Sequence, residues 1–140
     1  LNYPKKIKKK PLPARHGAVF WLERDGQVLL GRREDTGLLG GMTELPGTEW
    51  GTDKPPTDAL LSQAPLSKSG ISKNWQEADT GVTHVFTHFK LALRVFSAQM
   101  PANQNVVLTR KQFWAPIGRL SEYALPTCMT KAVKIVREQT

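Results

Sequence analysis

Cysteine is nearly absent: Cys128 is the only one in the 140-residue chain. A single thiol excludes an internal disulfide and any zinc or iron–sulfur centre built from several thiolates of this chain. Reducing, intracellular surroundings are the plain reading. Its neighbours Thr127 and Met129 mark Cys128 as a core residue, and no G-x-S-x-G elbow supplies another nucleophile. Long apolar runs are missing as well. None approaches the roughly 18 residues of a membrane span. The start lacks a leader pattern, because Lys5, Lys6, Lys8, Lys9 and Lys10 run into Pro11-Leu12-Pro13 instead of an apolar stretch. The chain opens on Leu1, which leads us to expect a piece of a longer protein. Acidic residues are scarce: 12 Asp and Glu face 20 Lys and Arg, for a formal net charge of +8. That balance serves solubility or a polyanionic partner such as nucleic acid.

What is present fits one domain. Apolar residues make up 39% of the chain, with four Trp and five Phe, which argues for a packed core over disorder. Residues 1–15 are rich in Lys and Pro without hydrophobic periodicity and read as a connector or arm. The domain proper is expected over 16–140.

From His16 the pattern becomes β-like. Ala18 to Leu22 is a strand run, Asp25-Gly26 is a hairpin signal, and Val28-Leu29-Leu30 resumes the strand. GLLGGMTELPG, residues 37–47, reads as a shaped loop, and Glu49-Trp50 as the close of a short strand. Thr57-Asp58 is placed to cap a short helix to about Ala64. Trp75 is expected to anchor the polar stretch from Lys68 to Asp79. The run from Val82 to Gln99 is too long for one typical strand, so a break is expected at Thr87-His88, where the alternation changes phase. Phe113-Trp114 is a short strand ended by Pro116. Pro126 then opens a helix to about Gln139, burying Met129, Val133, Ile135 and Val136. Several strands with a few helices indicate an α+β fold.

The histidines invite a metal reading, which geometry opposes. In a strand His84 and His88 share a face but lie about 13 Å apart along it, too far for one ion. On a helix their spacing would suit zinc, but Val85 stands where that motif needs Glu.

The hairpin, the 37–47 loop and the following helix resemble the Nudix fold. Nudix hydrolases carry G-x5-E-x7-R-E-U-x-E-E-x-G-U, whose glutamates hold Mg²⁺ against a diphosphate. Counting from Gly47 places Asp53 at the first acid, then Leu61, Ser62, Pro65 and Leu66 where Arg and three Glu should stand. Hard cations need clustered carboxylates, and this register lacks them. The resemblance implies a Nudix-like mixed β-sheet flanked by helices, without the pyrophosphatase face.

A narrower likeness covers about residues 16–137. Val28-Leu29-Leu30 with Arg32-Arg33, Gly37 to Met42 leading into Glu44-Leu45-Pro46-Gly47 and Glu49-Trp50, His84 to Phe89, Phe113-Trp114, and Ala124 to Thr127 followed by Lys131 stand in order. The chain thereby resembles the C-terminal domain of MutY-type adenine DNA glycosylases, which excise adenine mispaired with 8-oxoguanine. The resemblance implies that catalysis and an iron–sulfur cluster belong to a preceding N-terminal domain, and that this chain has no cofactor and inspects the oxidised guanine. It implies two partners: duplex DNA containing 8-oxoguanine opposite adenine, and that N-terminal domain. The family's Phe-Ser-His recognition loop maps onto Phe86, Thr87 and His88, with Thr for Ser. Thr keeps the hydroxyl, adds a methyl and stiffens χ1. Arg32, Arg33, Lys90, Arg94 and Lys131 are candidate phosphate contacts, while Glu44 and Trp50 are assigned to packing and His84 to structure. Two other readings remain open: a divergent Nudix pyrophosphatase, and a module that docks a repair partner.

Overall fold

The computed structural model describes residues 11–65, 74–101 and 107–139. Two long strands run side by side at its centre, β1 (Ala14–Arg24) and β6 (Lys90–Gln99), parallel from Ala14↔Lys90 to Glu23↔Gln99. Between them in sequence come β2 (Gln27–Arg32), β3 (Thr43–Glu44), α1 (Thr57–Leu61), β4 (Gln76–Glu77) and β5 (Val82–Val85). After β6 follow β7 (Gln112–Pro116), a 3₁₀ turn over Ile117–Glu122 and α2 (Thr127–Glu138). The order is β3-β2-β1-β6-β4, with β5 also on β6 and β7 also on β2. This mixed sheet with helices is the expected α+β arrangement.

Parallel pairing explains the unbroken apolar run of β1. Parallel strands are covered on both faces, so alternation of polar and apolar residues is lost. Val19 and Trp21 point to the core that α2 seals with Cys128, Met129, Ala132, Val133 and Val136. Ala18, Phe20 and Leu22 point to the other core, with Leu60 of α1 and Trp75. Trp75 is buried edge-on against Phe20, 5.3 Å between ring centroids, as its anchoring role requires. Residues 68–73 of that polar stretch lie outside the described residues.

The Asp25-Gly26 turn forms with φ of 50° and 75°, the left-handed geometry of a tight hairpin. The hairpin is shallow, however. Only Glu23↔Val28 and Arg24↔Gln27 pair, whereas β7 runs along the other edge of β2 from Gln27↔Pro116 to Gly31↔Gln112.

Some local expectations are corrected. Glu49-Trp50 forms no strand: isolated bridges Gly47↔Val19 and Gly51↔His16 flank it instead. Trp50 packs over Gly17, where a Cβ would sit 2.8 Å from its Cδ1, and that contact replaces strand pairing. The short helix starts after Pro56, not on a Thr57-Asp58 cap. Thr57 is already helical and its hydroxyl accepts a bond from Arg94 at 2.7 Å. The helix ends at Leu61, after which Gln63 and Ala64 donate to Leu60 and Leu61 in tighter i→i−3 turns. Ile135 is half-buried rather than buried, and Cys128 and Ala132 complete the inner face of α2. β1 begins at Ala14, ahead of the change in composition at His16. Among the described residues, no helix is long and apolar enough to cross a membrane.

Candidate nucleic-acid interface

The break in the 82–99 run is a hairpin tip. β5 pairs antiparallel with β6 from Val82↔Leu93 to Val85↔Lys90. Phe86 N–H then donates to the Phe89 carbonyl at 2.8 Å, which leaves Thr87-His88 as a short connection. Both side chains are exposed, and neither makes a hydrogen bond among the described residues. Hydroxyl and imidazole are therefore free to meet a ligand.

Phe86 occupies a different position. It is half-buried, stacked on Trp50 (6.1 Å between centroids, 29° between planes), 4.8 Å from Phe89, and in edge contact with His84 at 4.7 Å. These rings form a buttress beneath the tip. Each aromatic contact contributes about 0.5–1.5 kcal/mol beyond area burial, enough to hold a short connection in one place. Trp50 was assigned to packing, and that is its role here.

His84 faces α2. The Lys131 ammonium lies 3.1 Å from His84 Nδ1 and donates to the Thr83 carbonyl at 3.1 Å. An ammonium has only donors, so Nδ1 accepts and His84 is neutral with its proton on Nε2. Burial first, and the Lys131 charge second, hold the His84 pKa below its ordinary 6.5. No single face carries both imidazoles: His84 belongs to β5 and His88 to the tip.

The expected cations separate. Arg33 is committed: its Nη1 donates to Glu44 Oε1 at 2.9 Å, its Nε to the Leu38 carbonyl at 3.1 Å, and its guanidinium lies 5.0 Å from the Trp50 ring centre. Glu44 is correspondingly structural; burial raises its pKa, and the Arg33 charge and hydrogen bond pull it back. Arg94 is committed too, at 2.7 and 2.6 Å to the two Glu77 oxygens. Arg32 is exposed and donates to the Gly41 carbonyl at 3.4 Å, beside a different cleft that includes Gln63 and Lys111. Lys131 and Lys90 flank the β5–β6 hairpin. Arg15, read from sequence as part of the connector, lies in β1 with its guanidinium 4.7 Å from the Phe89 ring centre. Its register opposite Leu91, across the parallel pair, brings it there. No local sequence signal indicates that contact.

Arg15, Arg33, Glu44, Thr48, Glu49 and Trp50 border a cleft of about 470 Å³. The residues at the register of the Nudix motif do not fit a divalent-cation site. Asp53 is exposed on a bend, Leu61, Ser62 and Pro65 supply no acid, and residue 66 lies outside the described residues. Among the described residues, no group of three His, Cys, Asp or Glu side chains is placed to hold a metal.

The NUDIX domain profile matches residues 18–134. Adenine DNA glycosylase from Homo sapiens is 26% identical over 145 residues, which cover 99% of this chain and 27% of that protein. The Rattus norvegicus adenine DNA glycosylase is 28% identical over 153 residues, covering 99% and 28%. The chain thus spans about a quarter of the length of the curated relatives it matches. Among solved structures, the C-terminal domain of mouse MUTYH, in complex with human PCNA, superimposes with a TM-score of 0.71 at 21% identity, covering 89% of this chain and 88% of that one. The MutT protein from Methanosarcina mazei Go1 gives 0.67 at 16% identity, covering 94% and 99%. These two likenesses concern the fold.

Proposed function

The chain belongs to the NUDIX domain family, and from that premise we propose that it is the lesion-recognising part of an adenine DNA glycosylase, reading 8-oxoguanine opposite adenine for base-excision repair. The observation that carries the reading is the exposed Thr87-His88 tip on its aromatic buttress. Oxidation turns N7 of guanine from acceptor to donor and adds a C8 carbonyl on the edge exposed in the major groove. A hydroxyl both donates and accepts, so Thr87 can satisfy either atom. His88 adds a second group for the base or a neighbouring phosphate. Phe86 sets the tip, since its ring is already held by Trp50, Phe89 and His84.

In this reading excision belongs to an N-terminal catalytic domain, reached through the Lys/Pro-rich residues that precede β1, and the protein works inside the cell. A base-excision pocket needs acid and base or nucleophile carboxylates around a flipped nucleotide; here Glu44, one of the carboxylates of the cleft wall, is tied to Arg33.

The test is fluorescence anisotropy of the chain on 8-oxoguanine:adenine and guanine:adenine duplexes. Thr87→Ala is expected to reduce the preference for the lesion about 3- to 10-fold, the worth of one hydrogen bond. An unchanged preference in Thr87→Ala and His88→Ala together would sink the reading.

A further inference from the structure

Charge pairing sorts the cations of this surface into those already neutralised and those still available. Arg33, Arg94, Lys111, Arg119 and Lys134 each hold a carboxylate, Glu44, Glu77, Glu34, Glu122 and Glu138 respectively. Among the described residues, neither Arg15 nor Lys131 pairs with one. Both are exposed, and both touch the buttress of the tip: Arg15 lies over Phe89, and Lys131 bonds His84, whose ring meets Phe86.

They also share a face. Leu91 and Leu93 of β6 point into the core beneath α2, and Phe96 and Ala98 into the opposite core. Arg15 lies opposite Leu91, and His84, the partner of Lys131, pairs with Leu91 from the other side. Lys90, next to Leu91 in the same strand, projects to the other face. β1 and β5 are separated by β6 alone, which sets the backbones of Arg15 and His84 about 10 Å apart at strand spacing, and the Lys131 ammonium comes from α2 to within 3.1 Å of the His84 ring.

We infer that Arg15 and Lys131 form a two-cation phosphate clamp flanking the Thr87-His88 tip, gripping the DNA backbone on either side of the inspected base, while Arg33 and Arg94 hold the protein's own loops. Fixed cations grip phosphates in register without reading sequence. Lys131 is held by two acceptors, so less side-chain freedom is lost when DNA binds than for a lysine waving in solvent. The inference rests on the DNA-binding reading above, but its readout is separate: the tip governs lesion preference and the clamp governs salt dependence.

The experiment measures affinity of the chain for lesion and undamaged duplexes by anisotropy between 50 and 200 mM KCl. Arg15→Gln and Lys131→Gln are each expected to lower the slope of log K against log salt by about 0.9. The affinity lost across that range then shrinks about 3.5-fold per variant. Both duplexes should weaken equally, and thermal melts confirm that the variants fold. Lys131→Arg should restore the slope, and Arg33→Gln and Arg94→Gln should leave it unchanged. Wild-type slopes in Arg15→Gln and Lys131→Gln overturn the clamp, as does wild-type binding without salt dependence. If Thr87→Ala and His88→Ala together leave lesion preference intact while both slopes fall, the clamp stands and the lesion reading fails.

Discussion

At Thr87 a hydroxyl and a methyl share one Cβ, and the two groups have separate consequences. In the proposed reading the hydroxyl bonds the oxidised edge of guanine, while the methyl only narrows the rotamers. Thr87→Ser should therefore keep the lesion preference, and Thr87→Val, nearly the same shape, should lose it; both are read from the anisotropy titration above. His84 provides a residue-scale prediction about pH. Its pKa in the fold lies below the ordinary 6.5, so the unfolded chain binds the proton more readily. The stability it contributes is complete above about pH 6.5 and is lost as pH falls through the depressed folded value. Wild type should lose more in Tm between pH 7.5 and 5.5 than His84→Gln, in which that titration is removed. Equal losses in the two proteins would show that His84 is not coupled to folding.

Among the elements, the β5–β6 hairpin depends on one ring that comes from a distant segment. Trp50 arrives from the loop after β3, and Phe86, Phe89 and His84 from the hairpin. Phe86→Ala is expected to cost about 2 kcal/mol, below the 3–5 of a fully buried ring because Phe86 is half-buried. It should also abolish lesion preference with Thr87 still present, and chemical denaturation alongside anisotropy separates the two effects. A second joint ties α1 to the sheet: Arg94 bonds both Glu77 oxygens and the Thr57 hydroxyl. The Arg94 hydrogen bond lowers the Glu77 pKa more than burial raises it. Its stability is present above the ordinary carboxylate pKa and lost as pH falls through the lowered one. Both partners are partly exposed, so Glu77→Gln should cost only about 0.5–1 kcal/mol in a urea titration near pH 7.

For the whole molecule, the NUDIX-family fold is kept while the Arg and Glu residues usual to its loop and helix are replaced by others. The sandwich is intact, with β1 buried on both faces and α2 covering one core. The segment that should carry clustered glutamates holds a helix of five residues, Thr57–Leu61, with Asp58 as its acid. Mg²⁺ with a nucleoside triphosphate should therefore release no pyrophosphate in the presence of this chain, measured against a Nudix hydrolase as positive control. Turnover that depends on Mg²⁺ would revive the enzymatic reading. Net charge of +8 favours approach to a polyanion, although the ion pairs at Arg33 and Arg94 show that total charge overstates what a phosphate would meet.

Local chemistry made much of this fold legible. Asp25-Gly26 announced its turn because few residue pairs accept left-handed φ in succession, and the phase change at Thr87-His88 announced a tip because strand alternation has a period of two. Pro126 marked the start of α2, and the absent glutamates could be counted directly. What the tertiary structure alone decided is which side chains meet. Arg15 reaches Phe89 across a parallel pairing, Lys131 reaches His84 from 47 residues away, and Arg33 is claimed by Glu44. Such contacts depend on strand order and register, where a slip of one residue would reverse every face. No local pattern encodes them, and they determine which of the described basic residues are already held by the protein's own carboxylates.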